Sequence, residues 1–355
     1  IFLPPLLYDA AFAISWKELW RWRRIVTSFA FIVVFLTALS VAIVADSFIP
    51  GLSLALGFLL GGIVSPPDAV SASAILKFVK VPRRMSSILE GESLLNDASS
   101  LIIFRFALVA IATGQFIWQD AALSFAWMVV GGVGIGLAIG WLFMKMHKLL
   151  PTDVDMDIIL ALVAPYVMYI AAEQVHCSGI LSVVSGGLFL ASKRNYFLKS
   201  SSRLRGDNVR QSLVYVLNGL VFLLIGLDLP QIREGLEQEG ISLSSAIGYG
   251  LLITAVLIVV RFIASFGALV VTRIASNFIA VADRNPGYRA PLVMGWTGMR
   301  GVVSLAAALS IPVQLSDGIP FPHRHLILFI TFITIISTLL LQGLTLPYLI
   351  RKVKM

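Results

Sequence analysis

The chain has 355 residues, of which 58% are hydrophobic and only 13% are charged, about half the charged fraction of a typical soluble domain. This composition excludes a soluble protein and predicts an integral membrane protein with no soluble domain. The net charge of +8 does not call for a nucleic-acid partner, because the basic residues concentrate in short connections between apolar runs.

Cysteine and histidine usage restricts the chemistry further. Cys177 is the single cysteine, which excludes an internal disulfide and a cysteine-based metal site. The four histidines all lie in or beside predicted loops, so no histidine is expected in the membrane interior: His147, His176, His323 and His325. Ile1 lies within an apolar run, and we therefore expect the natural N-terminus to be missing.

Apolar windows bounded by charged residues and by Gly/Pro clusters predict one partial span and ten complete ones. The partial span covers residues 1–14. The complete spans cover residues 25–45, 51–78, 86–112, 122–146, 156–174, 178–193, 210–229, 243–272, 288–312 and 324–350. The predicted fold class is an all-α polytopic membrane protein with eleven spans.

Lysine and arginine crowd into alternate loops along the chain. The intervening loops hold only Arg233 and Arg324, and the loop around 230–242 is acidic. Basic residues are retained on the cytoplasmic side of a membrane. The pattern therefore predicts a multi-pass protein of the cell membrane with a cytoplasmic C-terminus.

Two predicted spans are interrupted in a similar way. Span 51–78 contains GGIVSPPDAVSAS, where two prolines remove backbone donors just before Asp68. Span 288–312 contains GWTGMRGVVS, where three glycines surround Arg300. Each is the middle span of three, and the two triplets have opposite predicted topology. This indicates an inverted repeat whose broken helices meet near the midplane and line a substrate site. Ordinary proline and glycine kinks are the alternative.

A group of polar residues follows the first interrupted span. Asp97 lies eleven residues into span 86–112, about 16 Å from its start at the helical rise per residue. Ser93 and Asn96 share its helix face, and Asp68 comes from the broken span. Such oxygen donors suit a hard cation, and we expect a sodium site at Asp97 and Ser93. A carboxylate there binds either a cation or a proton, which is the minimum requirement for exchange. A fixed salt bridge to Asp97 is the alternative.

Three arginines lie inside predicted spans: Arg105, Arg261 and Arg300. Ionisable groups at that depth require a partner or water. Glu92 faces away from Ser93, in a position to pair with an arginine from another span, and Arg261 lies near the middle of span 243–272. A glutamate paired in this way remains ionised. Glu90 lies nearer the cytoplasmic end, where it either attracts cations or is a solvated end charge.

Several motifs together resemble the monovalent cation/proton antiporter family 1, the sodium/proton exchanger group, and most closely its bacterial members. The resemblance covers essentially the whole chain in the correct order. Its motifs are FLPPLLYDAAF, ESLLNDA, AAEQVHCSGI, the VVRF arginine and GMRGVVSLAAALSIP.

The resemblance implies a role for each of the polar residues. Asp97 would be the ion-carrying carboxylate, Ser93 a ligand, and Asn96 a neighbour characteristic of the electroneutral branch. Glu92 would pair with Arg261, and Arg300 would lie where the broken helices cross. Asp9 matches an acidic position near the ion path, and Glu173 matches one at the external vestibule.

The resemblance also implies an organisation for the whole chain. Residues 1–355 would be a single transmembrane transporter domain, eleven of a likely thirteen spans, with an N-terminal helix of the homodimer interface absent. The ion-binding core would comprise 25–112 and 243–350, and the scaffold 1–14 and 122–229. One departure concerns the first broken span, where the family's Asp-Pro pair is replaced by Pro67, Asp68 and Ala69.

The predicted function is secondary active antiport of sodium, with lithium or potassium as alternatives, against protons. One exchangeable charge per cycle would make the exchange electroneutral and one-for-one, by alternating access. The expected partners are monovalent cations, protons, the lipid bilayer and a second copy of the chain. No cofactor and no enzymatic activity are expected. A cation channel or an ion-sensing receptor that uses the same polar residues is the alternative.

Overall fold

The computed structural model describes residues 2–14, 16–68, 83–113, 118–275, 287–315 and 318–353. Within these ranges the chain is helical apart from loops and an isolated antiparallel bridge between Gln314 and Pro320. The predicted all-α fold is therefore confirmed.

The described helices range in length from 8 to 39 residues. Those of the first third are α1 (Leu3–Ala13), α2 (Trp16–Thr27), a π-helical turn (Ser28–Val33), α3 (Val34–Phe48), α4 (Leu54–Val64) and α5 (Arg83–Thr113). The middle third contains α6 (Trp118–Leu149), α7 (Val154–Gln174), α8 (Gly179–Phe197) and α9 (Ser200–Gln238). The last third contains α10 (Leu243–Ala275), α11 (Arg289–Trp296), α12 (Val302–Leu309) and α13 (Arg324–Val353).

Seven helices in the described part of the chain are long and apolar enough to cross a membrane. The predicted count of eleven spans is therefore not confirmed. Span 288–312 consists of two eight-residue helices with residues 297–301 between them. Span 51–78 begins with α4, and its end at 69–78 lies outside the described residues.

Side-chain caps fix the starts of three helices. Asp153 precedes α7 and accepts a hydrogen bond from the Met156 backbone N–H at 2.8 Å. Ser178 does the same for Leu181 before α8, and Ser53 for Leu56 before α4. These contacts satisfy donors that the first helical turn leaves unpaired.

The helices form two compact units. The first comprises Ile1–Arg23 and Phe116–Leu223, and the second comprises Arg24–Gln115 and Leu224–Met355. Both predicted triplets, with their interrupted spans, fall within the second unit. The predicted division into an ion-binding core and a scaffold concerns what these parts do, and it stays a prediction.

Small residues allow close helix packing in the first unit. A Cβ added at Gly132 would approach the Ser178 carbonyl oxygen to 2.7 Å, and one added at Gly136 would overlap the Ser182 backbone. Glycines on α6 thus let α8 pack backbone against backbone, which is typical of membrane helices.

The second unit uses the same packing around α4. A Cβ added at Gly57 or Gly61 would meet the backbone of α3 at 2.8 Å or closer, at Ala42 and Ala38. Gly62 faces α5, where an added Cβ would lie 2.8 Å from the Phe104 nitrogen. This packing holds α4 between α3 and α5. Helix α13 packs against four other helices of the unit: α4, α10, α11 and α12.

Candidate ion-binding site

The two interrupted spans meet where their helices stop. The Asp68 backbone N–H, beyond the end of α4, donates to the Met299 carbonyl at 2.7 Å. In return, Arg300 Nε donates to the Val64 carbonyl at 2.5 Å. The Asp68 carboxylate lies against Gly301, where an added Cβ would overlap it. The end of α4 and the break between α11 and α12 therefore lie together, as the predicted crossing requires, while residues 69–78 of the first span lie outside the described residues.

Arg300 occupies this crossing and is buried. Its side chain also donates to the Gly298 carbonyl, and its backbone N–H donates to Thr338 Oγ1 at 3.2 Å. Val64 is the last residue of α4, so the guanidinium faces the partial negative charge of that helix end. The structure thus places Arg300 where a half-helix terminates.

Four polar residues on α5 are buried together: Glu92, Ser93, Asn96 and Asp97. Asp97, which is 7% exposed, lies near the middle of this 31-residue helix. Among the described residues, the charged group that acts on Asp97 is Asp68. A fixed salt bridge to Asp97 therefore has no support there. The structure brings the carboxylates of the broken span and of α5 together.

Glu92 and Arg261 form a buried ion pair between α5 and α10. The guanidinium donates to both carboxylate oxygens of Glu92, with the Nη2–Oε2 distance at 2.9 Å. It lies over the Phe29 ring and donates through Nε to the Met294 carbonyl at 3.3 Å. The bidentate geometry gives this buried pair two charge-assisted hydrogen bonds.

Asn96 belongs to the same network. Its Nδ2 donates to Glu92 Oε1 at 3.2 Å, one helical turn earlier. We expected Asn96 to converge with Ser93 and Asp97, but its amide nitrogen binds Glu92. The four-residue spacing between Glu92 and Asn96 was the sequence signal for this contact.

The remaining candidates have other neighbours. Glu90, on α5, is half-buried. In the first unit, Asp9 accepts a hydrogen bond from Arg210 Nε at 2.6 Å. Glu173 accepts one from the Gly179 backbone N–H at 3.2 Å, at the start of α8. Their proposed places along an ion pathway stay predictions.

Two buried polar features were missed from the sequence. His147 lies in the last turn of α6 and is buried, and its Nδ1 is 2.8 Å from Asp157 Oδ1. His147 thus lies beside the loop that follows α6, as predicted, but its burial within the protein was not predicted. Gln342, on α13, is 1% exposed, and neither of its amide atoms has a hydrogen-bond partner among the described residues.

Crossed half-helices beside buried carboxylates are the arrangement of ion-coupled membrane transporters. The family model described as "Sodium/hydrogen exchanger, transmembrane" matches residues 1–352. The chain belongs to this family, as its motifs predicted.

Similar proteins agree with this assignment. The sodium, potassium, lithium and rubidium/H(+) antiporter of Bacillus pumilus is 36% identical over 362 residues, covering 99% of this chain and 53% of its own length. The protein of the same name from Bacillus subtilis is 35% identical, covering 98% and 53%. The chain thus spans about half the length of these curated relatives.

A solved structure shows the same fold. The sodium proton antiporter MjNhaP1 from Methanocaldococcus jannaschii superimposes with a TM-score of 0.78 and 19% sequence identity. The match covers 99% of this chain and 84% of that one. The predicted antiporter fold is therefore confirmed.

Proposed function

We propose that the protein is a secondary antiporter that exchanges a monovalent cation, principally sodium, for a proton. The observation that carries the proposal is the pair of carboxylates, Asp97 and Asp68, that interact inside the second unit where the broken helices cross. The family assignment supports the same reaction class.

Competition for Asp97 supplies the exchange. Two carboxylates in a poorly hydrated interior repel each other, and one added positive charge relieves that repulsion. A sodium ion and a proton supply the same charge. Binding of either one relieves the repulsion between the carboxylates and therefore weakens binding of the other. Ser93, one turn before Asp97, offers a hydroxyl oxygen as a further ligand for the cation.

The ion pair limits how many charges move. Glu92 is paired with Arg261 and keeps this partner during the cycle, so it does not bind the transported ion. With Asp68 unchanged as well, Asp97 is the exchangeable carboxylate, and one cation replaces one proton. The exchange is then electroneutral. Asp97 is neutralised in both halves of the cycle, which lowers the cost of passing the membrane interior.

The cation need not be sodium alone. The Bacillus relatives are named for sodium, potassium, lithium and rubidium, and oxygen ligands at Asp97 and Ser93 suit each of these ions.

The protein acts as a homodimer in the cell membrane with its C-terminus in the cytoplasm. It operates by alternating access, in which the site opens to one side of the membrane at a time. No cofactor takes part.

The test is flux in reconstituted vesicles that carry a pH gradient and a pH-sensitive dye. Addition of sodium should collapse the gradient for the unaltered protein. Asp97→Asn should abolish the response, whereas Asp46→Asn, which changes an exposed carboxylate at the end of α3, should retain it. Retained exchange in Asp97→Asn would overturn the assignment of the carrier.

The same vesicles separate an antiporter from a channel. A coupled exchanger moves protons only when a cation is present on the other side, and its rate saturates with cation concentration. Addition of a potassium ionophore to clamp the voltage should leave the rate unchanged if the exchange is one-for-one. Uncoupled cation current through the protein would instead support the channel alternative.

A further inference from the structure

Helix α13 carries a row of polar side chains that point into the second unit. Thr331, Thr334, Thr338 and Gln342 are spaced by three or four residues and therefore share one face. All four are at most 1% exposed. A membrane-spanning helix that buries hydroxyl and amide groups must supply them with partners, because the surrounding lipid supplies none.

The hydroxyl groups of two of these residues have hydrogen-bond partners within the protein. Thr331 Oγ1 donates to the Ile327 carbonyl one turn earlier at 2.8 Å. Thr338 Oγ1 donates to the Thr334 carbonyl at 2.9 Å and accepts from the Arg300 backbone N–H at 3.2 Å. Neither of them requires a further ligand.

The other two are not accounted for. Thr334 Oγ1 and both amide atoms of Gln342 have no hydrogen-bond partner among the described residues. Asn96 binds Glu92 through its amide nitrogen, but its Oδ1 atom also has no hydrogen-bond partner among the described residues. A primary amide offers two donors and accepts through two lone pairs. Leaving such a group unpaired in an apolar interior is strongly unfavourable, so Gln342 needs a ligand.

The charges near Gln342 decide what this ligand is. A single position, that of a Cβ added to Gly298, lies 3.8 Å from Gln342 Nε2, 3.2 Å from Arg300 Nη1 and 3.3 Å from Arg261 Cγ. The sum of these distances places the amide nitrogen within about 7 Å of Arg300 Nη1 and of Arg261 Cγ, a gap that a bridging water can span. A cation is disfavoured there, whereas a small ligand that both donates and accepts hydrogen bonds fits the amide and the guanidinium together.

We propose that the Thr334–Gln342 face of α13 binds ordered water, which forms a hydrated track beside Arg300. Water can donate to the Gln342 oxygen and accept from its nitrogen or from a guanidinium. Thr334 lies about 12 Å away along α13 and would bind a separate water. Arg300 otherwise has backbone carbonyl partners, at Val64 and Gly298. Hydration stabilises its charged form at the crossing. The inference does not depend on which ion the protein transports.

Hydroxyl radicals formed from bound water by a synchrotron X-ray pulse test this directly, because they oxidise side chains next to the water where it sits. The background is Cys177→Ala, which removes the single cysteine. Thr334→Cys places a thiol on the track, and Ile335→Cys is the matched control, since Ile335 is equally buried on the neighbouring face. The thiol at position 334 should oxidise several-fold faster than the thiol at 335.

A second substitution links the water to Gln342. Gln342→Leu, added to Thr334→Cys, keeps a side chain of similar size without hydrogen-bonding groups. It should slow oxidation toward the rate of the Ile335→Cys control. Equal rates at 334 and 335, or no effect of Gln342→Leu, would overturn the proposal.

The test does not depend on one variant folding. Each protein is first checked for a single symmetric species and for a normal unfolding temperature. If Thr334→Cys fails this check, Thr338→Cys places the thiol on the same face of α13, between Thr334 and Gln342, and Ile335→Cys remains its control. Slow oxidation at both of those positions would equally count against bound water.

Discussion

Inside the second unit, Glu92 accepts two hydrogen bonds from Arg261. Removing one partner leaves the other charge buried and unpaired. We expect Glu92→Gln to lower the free energy of unfolding by about 3–5 kcal/mol. The measurement is thermal or chemical unfolding in detergent, with and without sodium.

A charge swap provides the control for this pair. Glu92→Arg combined with Arg261→Glu restores opposite charges on α5 and α10, and should recover part of the stability that either single change loses. A double variant no more stable than the singles would argue that the surroundings, including Asn96 and the Met294 carbonyl, accept only the native orientation.

Gly301 lies so close to Asp68 that the effect of a side chain at this position can be predicted. A Cβ there would overlap the Asp68 carboxylate, so Gly301→Ala must displace Asp68 or the start of α12. We expect at least a tenfold loss of exchange rate, corresponding to about 1.4 kcal/mol, with the protein still folded. Gly267→Ala on α10, where no atom lies within 4 Å of an added Cβ, is the control and should retain transport.

For individual residues, the sequence identified the candidate side chains better than it identified the contacts they make. Polar residues in apolar spans are conspicuous, which is why Asp97, Glu92, Arg261 and Arg300 were identified in advance. Gln342 was not, because an amide carries no formal charge and one glutamine in a long apolar segment resembles a tolerated exception. The Arg210–Asp9 contact was also missed, since it joins residues 201 positions apart on helices whose rotations the sequence does not specify.

Among the elements, the contact between α6 and α8 depends on which α6 positions lack a side chain. A Cβ at Gly136 would overlap the backbone and side chains of α8, whereas a Cβ at Gly134 would meet nothing within 4 Å. Gly136→Ala should therefore lower unfolding stability by about 1–3 kcal/mol through overpacking. Gly134→Ala should be neutral or slightly stabilising, because alanine favours the helix. Similar unfolding temperatures for both variants would contradict this account.

Helix boundaries were predicted unevenly. Spans 86–112, 156–174 and 324–350 differ from α5, α7 and α13 by a few residues, because charge and capping groups mark their ends. Span 210–229 was far too short, since α9 continues for 39 residues from Ser200 to Gln238. Charged residues were interpreted as loop there, but a helix that projects beyond the hydrocarbon carries them readily.

For the whole molecule, cation binding should appear as stabilisation. A ligand that binds the folded protein alone adds about 2.7 kcal/mol at one hundred times its dissociation constant. Sodium should therefore raise the unfolding temperature. Because protons compete for Asp97, the increase should be larger at higher pH, where fewer protons are bound. Asp97→Asn should abolish the sodium effect at every pH, and a sodium effect that shrinks as pH rises would contradict competition.

The reciprocal hydrogen bonds between the two broken helices also constrain how the chain is made. Val64 and Arg300, one of the pairs that close the crossing, are 236 positions apart. At ribosomal speeds of 5–20 residues per second, the partner of the first break emerges roughly 12 to 47 s after the break itself. During that interval the nascent chain carries an open helix end at Val64 and an unsatisfied donor at Asp68. A chain truncated before Met299 would lack both Met299 and Arg300, and hence both of these reciprocal contacts.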